Sequence, residues 1–158
     1  MRFMSPLLAV KNMEKSKQFY TEVLGQKISM DVGANVTFRG NFALQQGFAE
    51  LVGLDPASVK EKSHNAELYF DEDDIEAFDK RLREYKEVSL VHGIKQYPWG
   101  QRVIRLYDPD GHIIEVGENM KVVVKRFLIE GMGLEEVGER TMYPLAFIKR
   151  CKRELEES

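Results

Sequence analysis

Cross-linking sulfur is almost absent from this chain: Cys151 is the single cysteine among 158 residues. No intramolecular disulfide can form, and a chain of this size buries enough apolar surface to fold without one. A reducing cytoplasm suits such a sequence. Cys151 falls in a basic helical tail, where a surface or half-buried thiol is expected. Long hydrophobic runs are missing too. Nothing approaches the roughly 18 apolar residues that a membrane span requires. The opening stretch is broken by Ser5-Pro6 and followed by charges, so a strand is expected there rather than a signal peptide. Charge of one sign is not in excess either. With 23 Lys/Arg against 26 Asp/Glu, the formal net charge is −3. No footprint for nucleic acid or an anionic membrane surface follows from that balance, and neither partner is expected. Several catalytic signatures are also lacking. There is no Gly-x-Ser-x-Gly and no glycine-rich phosphate loop. The three histidines, His64, His92 and His112, do not fall at metal-ligand spacing and are read as structural or solvent-facing. His92, between a strand and Pro98-Trp99, is kept as a candidate for acid–base work.

What is present is one order of elements, used twice. Pro6 to Val10 reads as a strand. A helix follows, with Asn12 as N-cap and Met13, Ser16, Tyr20, Val23 and Leu24 on one face before Gly25. Short strands are expected at Lys27–Met30, Asn35–Phe38 and Asn41–Gln46. After a connector over residues 48–64, the order restarts. Ala66–Phe70 is a strand, Asp73-Asp74 supply caps, and Ile75, Phe78 and Leu82 recur at helical spacing. Strands follow at Val88–Val91, Gln101–Tyr107 and His112–Val116, with Asp108-Pro109-Asp110-Gly111 as a tight turn. Ser5–Asn12 overlays Glu67–Asp74 at an offset of 62 positions, which marks one internal duplication. The expected fold is α+β: two βαβββ modules, residues 1–47 and 65–118, forming a cupped mixed sheet, with a helical extension at 119–158.

The segment Leu8-Ala9-Val10-Lys11-Asn12 through Ser16, Phe19-Tyr20 and Leu24-Gly25 resembles the opening signature of the glyoxalase/bleomycin-resistance/dioxygenase family, the vicinal oxygen chelate superfamily. Pro98-Trp99-Gly100-Gln101-Arg102, followed by Tyr107-Asp108-Pro109-Asp110-Gly111-His112-Ile113-Ile114-Glu115, resembles its closing signature. The resemblance implies a U-shaped sheet, a ligand held in the cup and a homodimer, with modules pairing within or between chains. It also implies a divalent metal in many members, held at four positions. Those positions fall here on Ser5, on Leu44 or Gln45, on Glu67 and on Glu115. Histidine is usual at the first-strand positions, whereas this chain has Ser5 and Glu67, a set of hard oxygens closer to Mg²⁺ or Mn²⁺ than to Zn²⁺. The cofactor expectation is therefore none, or a divalent ion such as Mn, Mg, Ni, Zn or Fe.

Glu115 lies in an apolar strand, where a charge must be paired, hydrated or coordinated. It is the candidate catalytic residue or metal ligand, and an arginine such as Arg102 or Arg105 could equally satisfy it. Alternation puts Glu67 and Tyr69 on one face. Trp99 and Arg102 offer a ring beside a guanidinium for a planar, anionic ligand. Whether Arg102 or Arg105 points inward depends on strand register. The expected ligand-binding set is Tyr69, Trp99, Arg102 and Arg105. The expected function is metal-free binding of a small planar or anionic compound. A metal-dependent lyase, isomerase or dioxygenase is the alternative, and a ligand-sensing regulator is a third. In the tail, helices are expected around Met120–Leu128, Leu134–Arg140 and Pro144–Leu155. The last two faintly resemble a helix-turn-helix. From Glu118 onward, 8 Lys/Arg meet 8 Asp/Glu. That balance favours an appendage covering a sheet edge, the pocket mouth or a dimer seam over a DNA-binding element.

Overall fold

The computed structural model describes residues 1–157. Strand β1 (Leu7–Val10) leads into helix α1 (Met13–Gln18). Asn12 caps it as expected, its Oδ1 accepting from the Lys15 N–H at 3.0 Å. Beyond Gln18 the helix widens into a π turn over Phe19–Val23, with Leu24 N–H donating to the Phe19 carbonyl at 3.3 Å. Phe19, Tyr20 and Val23 are all buried there.

Strands β2 (Ile28–Asp31), β3 (Asn35–Phe38) and β4 (Ala43–Gln46) complete a first sheet of order β1-β4-β3-β2. β1 runs parallel to β4, with Leu7 opposite Ala43 and Val10 opposite Gln46, and the other pairs are antiparallel. The Tyr20 ring lies 5.5 Å from Phe38 and 5.2 Å from Phe42, which stack on each other at 4.6 Å. With Val36 and Leu44, these rings remove the apolar face of the sheet from water.

A short helix α2 (Phe48–Val52) and a 3₁₀ turn at Pro56–Ser58 occupy the connector. Then come β5 (Glu67–Glu72), α3 (Ile75–Leu82), β6 (Leu90–Gln96), β7 (Arg102–Tyr107) and β8 (Ile113–Glu118). Asp74 caps α3 through the Ala77 N–H at 2.9 Å. The second sheet has the order β5-β8-β7-β6, the counterpart of the first, so the fold is α+β and built from two βαβββ modules. Several strand boundaries differ from expectation, most of all the end of β6, which reaches Gln96 rather than Val91. β6 begins at Leu90 rather than Val88, whose N–H closes a turn onto Tyr85. β8 runs two residues past Val116, because the charge of Glu118 is held inside by arginines.

The chain divides into two compact units, whose boundaries cut across the modules. One holds Met1–Leu68, Glu84–Ser89 and Leu106–Ile114, and the other holds Tyr69–Arg83, Leu90–Arg105 and the chain from Glu115. In the first, the Asp108–Gly111 turn is fastened to the α1 segment. Tyr20 Oη donates to Asp108 Oδ2 at 2.9 Å, Ser16 Oγ to Asp110 Oδ2 at 3.1 Å, and Lys11 N–H to Asp110 Oδ1 at 2.8 Å. His112 Nδ1 lies 2.8 Å from Asp108 Oδ2. Burial, reinforced by Asp108, pushes the Tyr20 hydroxyl well above its ordinary value. For His112, burial pulls the imidazole down, but the Asp108 bond outweighs it and the net shift is upward.

In the second unit the tail forms α4 (Met120–Ile129), α5 (Leu134–Thr141) and α6 (Leu145–Glu156). Met120, Val123, Val124, Phe127, Val137, Ile148 and Cys151 make its core. The expectation of a surface or half-buried thiol is corrected: Cys151 is fully buried, on the apolar face of α6. Burial pushes its thiol up, which disfavours the reactive thiolate. No helix among the described residues is long and apolar enough to cross a membrane.

Candidate functional site

Alternation along β5, β7 and β8 sorts the second unit's side chains between two sheet faces. On one face, Tyr69 Oη donates to Asp71 Oδ1 at 2.6 Å and accepts from Gln101 Nε2 at 3.1 Å. Burial, then the Asp71 bond, leaves the Tyr69 phenol pushed up to about 12. Gln101 is buried and also accepts the Trp99 indole N–H at 3.0 Å. The Trp99 ring stacks on Tyr97, 4.7 Å between centroids and 20° between planes. Arg105 forms an ion pair with Glu115 and donates to the Tyr97 hydroxyl. Its guanidinium stands 5.6 Å from the Tyr97 ring centroid and 3.5 Å from His92 Nε2. Glu115 is only 8% exposed, so the pair answers the desolvation cost that its strand imposes.

The opposite face is a structural charge cluster. Arg102 Nη2 meets Glu118 Oε1 at 2.6 Å and its Nη1 meets Glu76 at 2.6 Å, while Arg126 Nη2 reaches Glu118 Oε2 at 2.9 Å and the Gly100 carbonyl at 2.8 Å. Burial alone would raise the Glu118 carboxyl, but Arg102 and Arg126 outweigh it and hold it below the usual range. Of the four residues expected to bind ligand, Tyr69 and Arg105 therefore share a face with Glu115, Trp99 adjoins it from the turn before β7 through its bond to Gln101 while packing on the tail-helix core, and Arg102 is engaged on the other face. Tyr97, Gln101 and Asp71 join the Glu115 face without having been singled out. Counting back by twos from Arg105 would have found Gln101, and a tyrosine two residues before Trp99 on the same run is the matching signal for Tyr97.

The family's four metal positions do not make a ready cation centre. The Gln45 side-chain carbonyl accepts from Asn35 at 3.0 Å and its amide donates to the Gln46 carbonyl at 2.8 Å. Glu115 is engaged by a fixed cation, Arg105. Ser5 precedes β1 and Glu67 opens β5, exposed. Among the described residues, no three His, Cys, Asp or Glu side chains gather closely enough to hold an ion. Two clefts, of about 390 and 540 Å³, lie elsewhere, in the first unit. Lys11, Phe48 and His112 are among the residues lining one, and Phe19, Tyr85 and Tyr107 among those lining the other.

The glyoxalase-like domain family matches residues 3–121. A protein of unknown function from Agrobacterium tumefaciens str. C58 shares 40% identity, over 75% of this chain and 94% of its own, with a TM-score of 0.65. A glyoxalase-related enzyme from Fulvimarina pelagi aligns at 21% identity over 76% of this chain and 89% of its own, TM-score 0.62. A glyoxalase/bleomycin resistance/dioxygenase family enzyme from Burkholderia phytofirmans PsJN aligns at 18% over 73% and 96%, TM-score 0.62. Among curated proteins, none matches this sequence. Paired sheets of one strand order and a family match spanning both modules lead to one conclusion: the chain belongs to the glyoxalase-like domain family of the glyoxalase/bleomycin-resistance/dioxygenase, or vicinal oxygen chelate, superfamily.

Proposed function

We propose that this protein binds a small planar compound with an anionic or strongly hydrogen-bonding end on the second sheet's Tyr69–Arg105–Glu115 face and the adjoining Trp99, and that it does so without a full metal site. The supporting observation is the nearly buried Arg105–Glu115 pair beside the stacked Tyr97 and Trp99 rings. A guanidinium has five donors, so Arg105 can serve Glu115, Tyr97 and a ligand oxygen together. The rings supply flat apolar area, and Tyr69 and Gln101 supply fixed polar groups. A homodimer in the cytoplasm is part of the reading. Leu90, Val91 and Ile94 of β6, each more than 40% exposed, offer an apolar strand that a second copy would cover.

Thermal-shift screening with aromatic carboxylates and related planar acids tests this. A stabilising compound should lose at least tenfold in affinity in Arg105→Gln and in Trp99→Ala. Retention of affinity in both variants would remove the site. The alternative, a metal-dependent lyase, isomerase or dioxygenase using Ser5, Gln45, Glu67 and Glu115, would replace it if protein purified without chelator carried stoichiometric metal that Glu115→Gln lost.

A further inference from the structure

The family domain ends at residue 121, and the relatives described above cover about three quarters of this chain, so the three tail helices are an addition to it. We propose that this addition is a helix-turn-helix that docks on duplex DNA through α6.

The supersecondary geometry comes first. α5 has 8 residues, α6 has 12, and the three residues Met142–Pro144 join them, the connection length of a helix-turn-helix. The turn is made by Met142 in the left-handed region, at φ 61° and ψ 18°. Gly138 sits where the two helices approach, and a Cβ there would lie 3.5 Å from Leu145 Cδ2 and from the Tyr143 carbonyl oxygen. Val137 of α5 and Ile148 and Cys151 of α6 are buried with α4 residues in one core, which gives the three-helix unit such a motif needs.

Charge comes second. The balanced count of the tail conceals a segregation along the chain. Ala146, Lys149, Arg150 and Arg153 recur at i, i+3, i+4 and i+7 on α6 and are all exposed, with exposed Lys152 beside them. Of the acids at this end of the chain, Glu154 is turned toward α4, bound to Lys121 at 3.0 Å and Lys125 at 3.1 Å, and Glu156 lies 3.8 Å from Lys152. Exposed Glu157 caps the helix one turn beyond Arg153, so the cationic stripe ends at Arg153. Glu135 and Glu136 belong to the first turn of α5, where a helix N-terminus favours them. A cationic stripe on the second helix, with a small apolar residue near its N-terminal end, has the chemistry of a major-groove reader. Lysine and arginine meet phosphate and guanine, and alanine meets the thymine methyl. The low net charge of the whole chain limits non-specific attraction, but it does not remove this face.

The test is fluorescence anisotropy of the full chain with a labelled random-sequence duplex of about 25 base pairs. Three phosphate contacts would make affinity fall about 40-fold between 50 and 200 mM salt, from a slope near −0.9 per contact. Lys149→Gln/Arg150→Gln/Arg153→Gln should weaken binding at least tenfold and flatten the salt slope by about three, with an unchanged melting temperature. A charge-matched control, Lys27→Gln/Lys80→Gln/Lys86→Gln, should bind within twofold of the parent. No binding at 50 mM salt, or equal losses in the two triple variants, would overturn the proposal. The first result would direct attention to a protein partner for the exposed Met142 and Tyr143 instead.

Discussion

At the scale of single residues, Gly117 shows how tightly the candidate site is assembled. A Cβ at that position would stand 2.8 Å from Tyr69 Cε2 and 2.8 Å from Gln101 Nε2. The strand can therefore carry no side chain where those two groups meet. Gly117→Ala is expected to cost about 1–3 kcal/mol in overpacking, read as a lower urea midpoint, and to displace Tyr69 from Gln101. Much of this face was legible beforehand: a carboxylate in an apolar strand, a lone tryptophan after a proline, and alternation along β5 all pointed to it. The orientation of Arg102 was not, since a slip of one residue exchanges it with Arg105. Glu118 escaped notice because the expected strand stopped short of it, and no local pattern announces two arginines arriving from distant positions.

At the scale of elements, caps and apolar spacing gave the helices away, and Asn12 and Asp74 act as their side chains suggest. The π turn at Phe19–Val23 left no such trace, because its wider period follows from packing Tyr20 onto Phe38 and Phe42 rather than from a local signal. Met142 is the clearest element-level liability. It is exposed, ends α5 in the left-handed region, and bears a Cβ that this conformation disfavours. Met142→Gly should stabilise the protein by about 0.5–1 kcal/mol, seen as a higher denaturant midpoint with unchanged slope. An unchanged or lower midpoint would mean that the methionine side chain contributes packing of its own.

For the whole molecule, Glu118 and His112 are two groups that contribute to the pH response in opposite senses. Glu118 is held below its ordinary 4.5, so its contribution to stability is present above that pH and lost as pH falls through the folded value. His112 is held above its ordinary 6.5, so its contribution is present below that pH and lost as pH rises through the folded value. The difference in melting temperature between parent and Glu118→Gln should therefore shrink on acidification from pH 7 to pH 3. The difference between parent and His112→Asn should shrink from pH 6 to pH 9. Differential scanning calorimetry across that range checks both. A His112 difference that grows with alkalinity would contradict the Asp108 pairing.

The position of Arg126 has a consequence for anyone who would trim this chain back to its family domain. One guanidinium on α4 ties the carbonyl of Gly100, next to Trp99, to a carboxylate with no access to water, and Phe127 covers the same glycine. Cutting after residue 119 would strip a counter-ion from the sheet and uncover the Trp99 loop. The appended helices have become masonry in the wall they were added to, and their removal would leave a damaged domain rather than a smaller one.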